Sequence, residues 1–89
     1  MTSLYSRNAN VEAAPMKDET ILFNPLNNKF CVLNATAAFI WQALEQPLAA
    51  EQIAAGLTSH FANVGMEQAH RDVESALAEL HGIDCVVVS

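Results

Sequence analysis

The period of the hydrophobic pattern changes at Asn34. Residues 30–33 (Phe-Cys-Val-Leu) suit a half-buried strand, whereas the apolar positions after Asn34 recur at helical spacing. Those positions are Ala37, Ile40, Trp41 and Leu44. The side-chain oxygen of Asn34 can accept a hydrogen bond from a free N–H of the first helical turn. The sequence therefore predicts a strand that runs directly into a helix at residues 35–44, which Pro47 ends.

The strand that ends at Leu33 is predicted to be the second strand of a hairpin. Residues 20–24 and 29–33 flank a turn at residues 25–28, where proline presets φ and asparagine tolerates the left-handed region. Residues 11–14, which precede Pro15, can add a third strand to this hairpin. Both hairpin strands are apolar on both faces, which is unusual for a sheet with one wet face. Either the chain covers the sheet on both sides, or a face or an edge is free for a partner.

Two more helices follow the first. Apolar residues at three- and four-residue steps predict helices at residues 49–61 and 67–81, with Gly82 as a C-terminal cap. Residues 84–89, which are rich in valine, indicate a last strand or an extended tail. The order of elements predicts an α+β fold: a small winged helix-turn-helix-like domain, with an antiparallel two- or three-stranded sheet followed by a three-helix bundle. The edges of such a sheet expose unpaired N–H and C=O groups.

The length of 89 residues bounds the domain organisation. Residues 1–10 are polar and are expected to be a flexible N-terminus without the apolar run of a signal peptide, and residues 11–89 are expected to form a single domain. A chain of this size has just enough large apolar residues for one core. The predicted core consists of Phe23, Phe30, Leu33, Phe39, Ile40, Trp41, Leu44, Ile53, Leu57, Phe61, Val73, Leu77, Leu80 and Ile83.

The formal net charge of −6 narrows the choice of partners. Residues 1–34 carry three cationic and three acidic side chains, whereas residues 35–89 carry seven acidic side chains against Arg71 alone. A nucleic-acid-binding domain needs cations to neutralise phosphates, and binding to an anionic membrane surface needs them too. The composition therefore disfavours DNA, RNA and membrane surfaces.

No catalytic constellation is recognisable in the sequence. His70 and His81 lie about three turns apart on the predicted last helix, too far to share one metal ion without other ligands. Cys31 and Cys85 form no CxxC pair, and we interpret them as reduced, buried thiols of a cytoplasmic protein. The sequence has no glycine-rich phosphate loop either. These observations predict a protein that is not an enzyme and binds no metal or other cofactor.

Three motifs follow one another along the chain. The first is Leu33-Asn34-Ala35-Thr36-Ala37 followed by Ile40-Trp41, and the second is residues 49–57, Ala-Ala-Glu-Gln-Ile-Ala-Ala-Gly-Leu. The third is Asp72-Val73 followed by Leu77, Leu80 and Gly82-Ile83. In this order, over residues 21–86, the motifs resemble the PqqD family. Its members are small peptide chaperones, also called RiPP recognition elements, of pyrroloquinoline-quinone (PQQ) and other modified-peptide biosynthesis.

The resemblance implies a noncatalytic module that binds the leader of a ribosomally made precursor peptide and presents it to a tailoring enzyme, such as a radical SAM enzyme. The leader would add a strand to the outer edge of the sheet and pack against the last helix. The implied peptide-binding residues are Lys29, Phe30, Cys31, Val32 and Leu33 on the strand, and Asp72, Val73, Ala76, Glu79 and Leu80 on the helix. Asp72 and Glu79 make the helix flank acidic, which hints at a Lys or Arg in the peptide.

The chain departs from the family pattern between its first two helices. Gln46-Pro47 replaces an acidic-Gly turn, and Leu48-Ala49 replaces the Ser or Thr that usually caps the second helix. Loss of such a cap costs about 1 kcal/mol of helix stability. Because these positions lie away from the expected peptide site, they are expected to affect local stability more than function.

Two other functions are open at this point. A winged helix is a common DNA-binding arrangement, although the shortage of cations disfavours a transcription regulator. The valines at residues 86–88 could instead form the edge of a homodimer. The same tail could also cover the edge assigned to the peptide, which would make the free protein self-inhibited or dimeric.

Overall fold

The computed structural model describes residues 3–17 and 19–89. In chain order these residues form β1 (Tyr5–Arg7), β2 (Glu12–Met16), β3 (Glu19–Asn24), β4 (Lys29–Leu33), α1 (Ala35–Ala43), α2 (Ala50–His60), α3 (Met66–Gly82) and β5 (Val86–Val88). Strands β2, β3 and β4 form an antiparallel sheet in that order, and β1 pairs with β5 in a separate antiparallel sheet. The predicted α+β class, with a meander followed by helices, is confirmed.

The hairpin of β3 and β4 forms at the predicted turn, and β2 completes the meander. Asn28, the last residue of the turn, adopts the left-handed region with a φ of 58°. Phe23 and Phe30 then pair across the two strands. Strand β2 differs from the prediction because it continues through Pro15. Proline is tolerated there because β2 lies at the edge of the sheet, where one side of the strand needs no N–H donor.

Side chains fix the starts of α1 and α2. The Oδ1 atom of Asn34 accepts a hydrogen bond from the Ala37 backbone N–H over 2.9 Å, which confirms the predicted cap. Helix α2 follows Ala49, whose side chain has no capping oxygen. The Oε1 atom of Gln52 instead accepts a hydrogen bond from the Ala49 backbone N–H over 2.9 Å, which is one half of a capping box. The side chain of Gln52 therefore replaces part of the capping that Ala49 cannot provide.

The end of α3 differs from the prediction. Gly82 is still helical and has no positive φ, whereas Asp84 adopts a φ of 58°. Short polar side chains tolerate this left-handed conformation, so Asp84 and not Gly82 reverses the chain. The carbonyls of Ile83 and Asp84 then accept hydrogen bonds from the side chains of Asn8, Asn24 and Asn27. These bonds attach the end of α3 to the N-terminal segment and to the hairpin.

The core lies between the inner face of the meander and the helices. Its most deeply buried apolar side chains include Leu22, Ile40, Leu44, Ile53, Leu57, Val73 and Leu80. Most of the predicted core is confirmed, but Phe30 is 69% exposed and Phe23 is half-buried outside the core, so the assignment of both to the core is wrong. The reason is strand alternation: Leu22 faces inwards, so its neighbour Phe23 and the paired Phe30 face outwards.

The N-terminal segment is part of the fold from Tyr5 onwards, which differs from the flexible terminus expected at residues 1–10. Its strand β1 pairs with β5 at the other end of the chain. The Nε and Nη2 atoms of Arg7 donate to the Trp41 carbonyl over 2.9 and 2.7 Å, and the guanidinium lies 4.7 Å from the centre of the Trp41 ring. Met1 and Thr2 lie outside the described residues.

Candidate functional site

Strand β4 lies at an edge of the three-stranded sheet. One side of β4 is hydrogen bonded to β3, and no residue in the ranges 3–17 and 19–89 pairs with its other side. The tail strand β5 is bonded to β1 and does not cover this edge. Because an edge strand directs part of its N–H and C=O groups away from the sheet, β4 offers them to an incoming strand.

The two edges of this sheet are not equivalent. Strand β2, at the opposite edge, contains Pro15, which cannot donate a hydrogen bond. Strand β4 has no proline, and its sequence Lys-Phe-Cys-Val-Leu includes aromatic and β-branched residues that favour strands. The β4 edge is therefore better suited than the β2 edge to pair with another strand.

The side chains of β4 alternate between the two faces of the sheet. Leu33 points into the core and is buried, and Cys31 lies on the same face, opposite the buried Leu22. Phe30 and Val32 point outwards and are 69% and 51% exposed. The outer face beside β4 is therefore apolar and is not covered by the described chain. The sequence leaves open whether the chain covers the sheet on both sides or leaves a face or an edge free. In the structure, both the outer face beside β4 and the edge of β4 are free of the described chain.

A groove of about 250 Å³ lies between α1 and α3, beside the end of β4. It is lined by Asn34, Thr36, Ala37, Ile40, Asp72, Ser75, Ala76 and Glu79. The α3 residues belong to one flank of the helix, since Asp72, Ala76 and Glu79 follow one another at steps of four and three residues. On the α1 side Ala37 is apolar and Thr36 is polar, while Ile40 is fully buried in the wall; the two carboxylates make the α3 side acidic.

The charge of this groove reaches β4. Burial, together with the negative charge of Glu79, raises the pKa of the Cys31 thiol. The negative charge of Glu79, which lines the groove on α3, therefore acts on the thiol of β4. Gln68 Nε2 donates a hydrogen bond to Asp72 Oδ1 over 2.8 Å. Within the described part of the chain, no cationic side chain forms an ion pair with Asp72 or Glu79.

The structure brings some of the predicted site residues together and buries others. The accessible ones are Lys29, Phe30 and Val32 along β4, with Asp72, Ala76 and Glu79 along the groove. Leu33, Val73 and Leu80 are buried in the core, and Cys31 is half-buried. The buried residues can shape the site but offer it little surface. Contact of any of these residues with a peptide stays a prediction.

Sequence reasoning missed the α1 side of the groove and one residue of α3. The missed lining residues are Asn34, which the sequence predicts only as a helix cap, and Thr36, Ala37, Ile40 and Ser75. Helical spacing could have found Ser75, because it lies three residues after Asp72 and four before Glu79. The α1 residues could have been found from the Asn34 cap, because a strand that runs into a helix places the first helical turns beside the end of the strand.

The described residues offer little for nucleophilic or metal chemistry. Burial and the neighbouring Cys31 and Asp84 raise the pKa of Cys85, and the pKa of Cys31 is raised as well, so both free thiols stay protonated at neutral pH. In the described ranges, no group of three or more His, Cys, Asp or Glu side chains is placed to hold a metal ion. No helix of this part of the chain is both long and apolar enough to cross a membrane.

Two solved structures have a similar fold. The structure of TbiB1 in complex with the TbiA(beta) leader peptide gives a TM-score of 0.80 at 22% identity, with 91% of this chain and 93% of that chain covered. The structure of lasso peptide synthetase B1 complexed with the leader peptide gives a TM-score of 0.79 at 23% identity, with 93% and 96% covered. At these identities the similarity establishes the fold. No curated protein matches the chain.

A protein-family model matches the sequence over residues 19–86, which are 68 of the 89 residues. The matched span contains the β3–β4 hairpin and helices α1, α2 and α3, and so includes both the open edge and the groove. It agrees with the resemblance over residues 21–86, which is thereby confirmed. This family model is that of coenzyme PQQ synthesis protein D, and the chain belongs to this PqqD family.

Proposed function

We propose that this chain is a noncatalytic module that captures the leader of a ribosomally made precursor peptide and presents it to a peptide-modifying enzyme. The observation that carries the proposal is the open edge of β4 beside the groove between α1 and α3. An extended peptide can complete this edge as a further strand and direct alternate side chains towards the groove. The proposed contact residues are Lys29, Phe30, Cys31, Val32 and Leu33 on β4, and Asp72, Val73, Ala76, Glu79 and Leu80 on α3.

The way in which the chain closes its own ends supports this proposal. The Ser89 N–H donates to the Leu4 carbonyl over 2.9 Å, which extends the pairing of β1 with β5. The C-terminal strand therefore has a partner that keeps it away from β4. A tail that folded back onto β4 would compete with the peptide for the edge. Binding of the peptide would then leave the valines at residues 86–88 without a paired strand.

The exposed side chains of β4 supply part of the binding energy. Phe30 and Val32 are 69% and 51% exposed in the free chain. A strand added beside them would remove about half of this apolar surface from water, which contributes roughly 2–3 kcal/mol at about 25 cal/mol per Å². The main-chain hydrogen bonds would add affinity that does not depend on the peptide sequence.

The relatives support the proposal by analogy. Both solved structures are complexes with a leader peptide, and the shared fold covers more than 90% of each chain. A module of this kind needs no active site, which agrees with the two protonated thiols. The modifying enzyme, such as a radical SAM enzyme, would supply the chemistry and its own cofactor. A cytoplasmic location belongs to the same proposal, since Cys31 and Cys85 are both free.

Titration of a leader peptide into ¹⁵N-labelled protein tests the proposed site. The probe is the N-terminal part of a short precursor-like peptide encoded in the neighbouring reading frames. We expect the backbone amide signals of β4 to shift together with those of α3 around Ala76. The amides of β2, at the opposite edge, serve as the internal control and should not move. Shifts confined to α2 or β5 would contradict the site, and no binding at all would contradict the function.

N-methylation of the peptide tests the mode of binding. Only every second N–H of an added strand points towards its neighbour, so methylation of successive residues should weaken binding at alternate positions. A peptide bound through its side chains alone would not show this alternation. The same peptide set needs no change in the protein, so the result does not depend on the stability of a variant.

A further inference from the structure

The groove between α1 and α3 has two chemically different sides. On α1, Ala37 contributes apolar surface beside the hydroxyl of Thr36, and Ile40 is fully buried in the wall, whereas Asp72 and Glu79 contribute carboxylates from α3. Neither carboxylate has a cationic partner within the described ranges. A side chain that matches both sides has an apolar stem and a positively charged head, as Lys and Arg do.

The size of the groove favours a single side chain as its occupant. Its volume of about 250 Å³ lies below the range of roughly 300–1,000 Å³ that is typical of pockets for small-molecule ligands. The groove is continuous with the edge of β4 through Asn34, which follows the strand directly and also lines the groove. A residue of a strand added at this edge is therefore the natural source of the side chain.

Strand alternation then determines what lies on either side of that residue. In a strand added to β4, a side chain that points to the inner face lies on the side of Cys31, where the charge of Glu79 acts. Its two neighbours along the peptide point to the outer face. There they meet the exposed Phe30 and Val32, which form an apolar surface.

We infer that the peptide bound at β4 carries a Lys or Arg that enters the groove between Asp72 and Glu79, with an apolar residue directly before and after it. This inference rests on the proposed function and adds the specificity of the site. The cationic head lies between the two carboxylates, which are two helical turns apart on α3, and is attracted to both, while the apolar neighbours cover Phe30 and Val32. An extended apolar–basic–apolar triplet is thus the recognised feature, and an acidic residue at its centre is rejected by like charge.

Selection from a displayed library of short random peptides against the full chain tests the triplet. We expect the selected peptides to share a central Lys or Arg between two apolar residues. A selected peptide is then measured against the Asp72→Asn/Glu79→Gln double variant, which should bind it roughly tenfold more weakly. The matched control is Glu67→Gln/Glu74→Gln, which removes the same charge from α3 outside the groove and should change affinity by less than about twofold.

A double-mutant cycle separates the groove contact from general attraction to an acidic protein. Replacing the central Lys of the peptide by norleucine should weaken binding to the wild-type chain but have little further effect on the groove variant. Peptides that shift the β4 amides without an enriched basic residue would overturn the inference and leave the proposed function standing. Equal losses in the groove variant and the control would do the same. If no selected peptide shifts the β4 amides, the proposed function fails, and this inference fails with it.

Discussion

Asn24 joins the β3–β4 hairpin to the end of α3, and its replacement tests how the candidate site is held together. The residue is completely buried although it is polar. Its Nδ2 atom donates to the carbonyls of Ile83 and Asp84 over 3.3 and 3.1 Å, and its Oδ1 atom accepts from the Leu26 N–H over 3.0 Å. Because β4 follows in the same hairpin, these bonds set the position of the open edge relative to α3.

The substitution Asn24→Ala removes three hydrogen bonds but leaves few partners unpaired. The Ile83 carbonyl still accepts from Asn27 over 3.1 Å, and the Asp84 carbonyl still accepts from Asn8 over 2.8 Å. The third partner is a backbone N–H in an exposed turn, which water can reach. We therefore expect the free energy of unfolding to fall by about 2 kcal/mol. This value is near the lower end of the range for the loss of three hydrogen bonds together with a small cavity.

The substitution Asn24→Asp removes the hydrogen-bond donor of the side chain but keeps its shape. The introduced carboxylate can still accept from the Leu26 N–H, but its other oxygen faces two carbonyls that need a donor. At neutral pH the loss of stability should therefore exceed that of Asn24→Ala. The folded state favours the protonated carboxyl, which donates again, so stability returns at acidic pH and is lost as pH rises through the ionisation of this group.

Urea unfolding measures these effects, with the fluorescence of the buried Trp41 as the signal. The matched control is Asn27→Ala, which loses one bond donated to the same Ile83 carbonyl and one accepted from the Lys29 N–H; because this side chain is less buried, the loss should be about 1 kcal/mol or less. Equal losses for the two alanine variants would refute the role of the buried amide. A loss in Asn24→Asp that does not change with pH would refute the assignment of the donor.

Three further substitutions test separate parts of the structure. Arg7→Met should lower the free energy of unfolding by about 1–2 kcal/mol, with Arg7→Lys intermediate, because it removes both hydrogen bonds to the Trp41 carbonyl and the cation–π contact. An unchanged urea midpoint would mean that this contact does not hold β1. Phe30→Thr should leave stability within about 0.5 kcal/mol but weaken leader binding at least roughly fivefold in fluorescence anisotropy; unchanged affinity would remove Phe30 from the site. Glu79→Gln should lower the pKa of Cys31 and so speed its reaction with a disulfide reagent at mildly alkaline pH, whereas an unchanged rate would contradict the proximity of the two groups.

The hairpin and the helix starts could be predicted from the sequence because their signals are local. The turn at residues 25–28 and the cap at Asn34 each depend on a few adjacent residues. Strand β4 accordingly has its predicted bounds, and α1 ends within one residue of the prediction. Strand alternation also predicts that one face of the hairpin carries Phe30 and Val32.

The pairing of β1 with β5 could not be predicted, because its causes are not local. Tyr5-Ser6-Arg7 is too short and too polar to show a period, and its partner lies at the other end of the chain. Arg7 is held by the Trp41 carbonyl in the last turn of α1, and this carbonyl lies beside the N-terminal segment only in the folded chain. The same limit applies to Asn24, whose burial depends on the carbonyls at the end of α3.

The strand side of the candidate site could be predicted more fully than its helix side. The β4 residues and the acidic flank of α3 follow from the motifs and from helical spacing. The groove is a gap between α1 and α3, and the width of a gap depends on how two helices pack, not only on the residues that each helix carries. The Asn34 cap places the first turns of α1 beside the end of β4, but the shape of the gap that these turns share with α3 follows only from the packing of the folded chain.

An open apolar edge normally favours pairing of a chain with its own copies, and the acidic flank of α3 counters this tendency. Two copies that met edge to edge at β4 would bring Asp72 and Glu79 of both chains close to one seam. These carboxylates have no cationic partner in the described chain, so the like charges would repel one another. The same negative charge that disfavours a second copy attracts a peptide with a basic residue. We therefore expect the acidic residues beside β4 to disfavour pairing of two copies at this edge and to favour a partner of opposite charge.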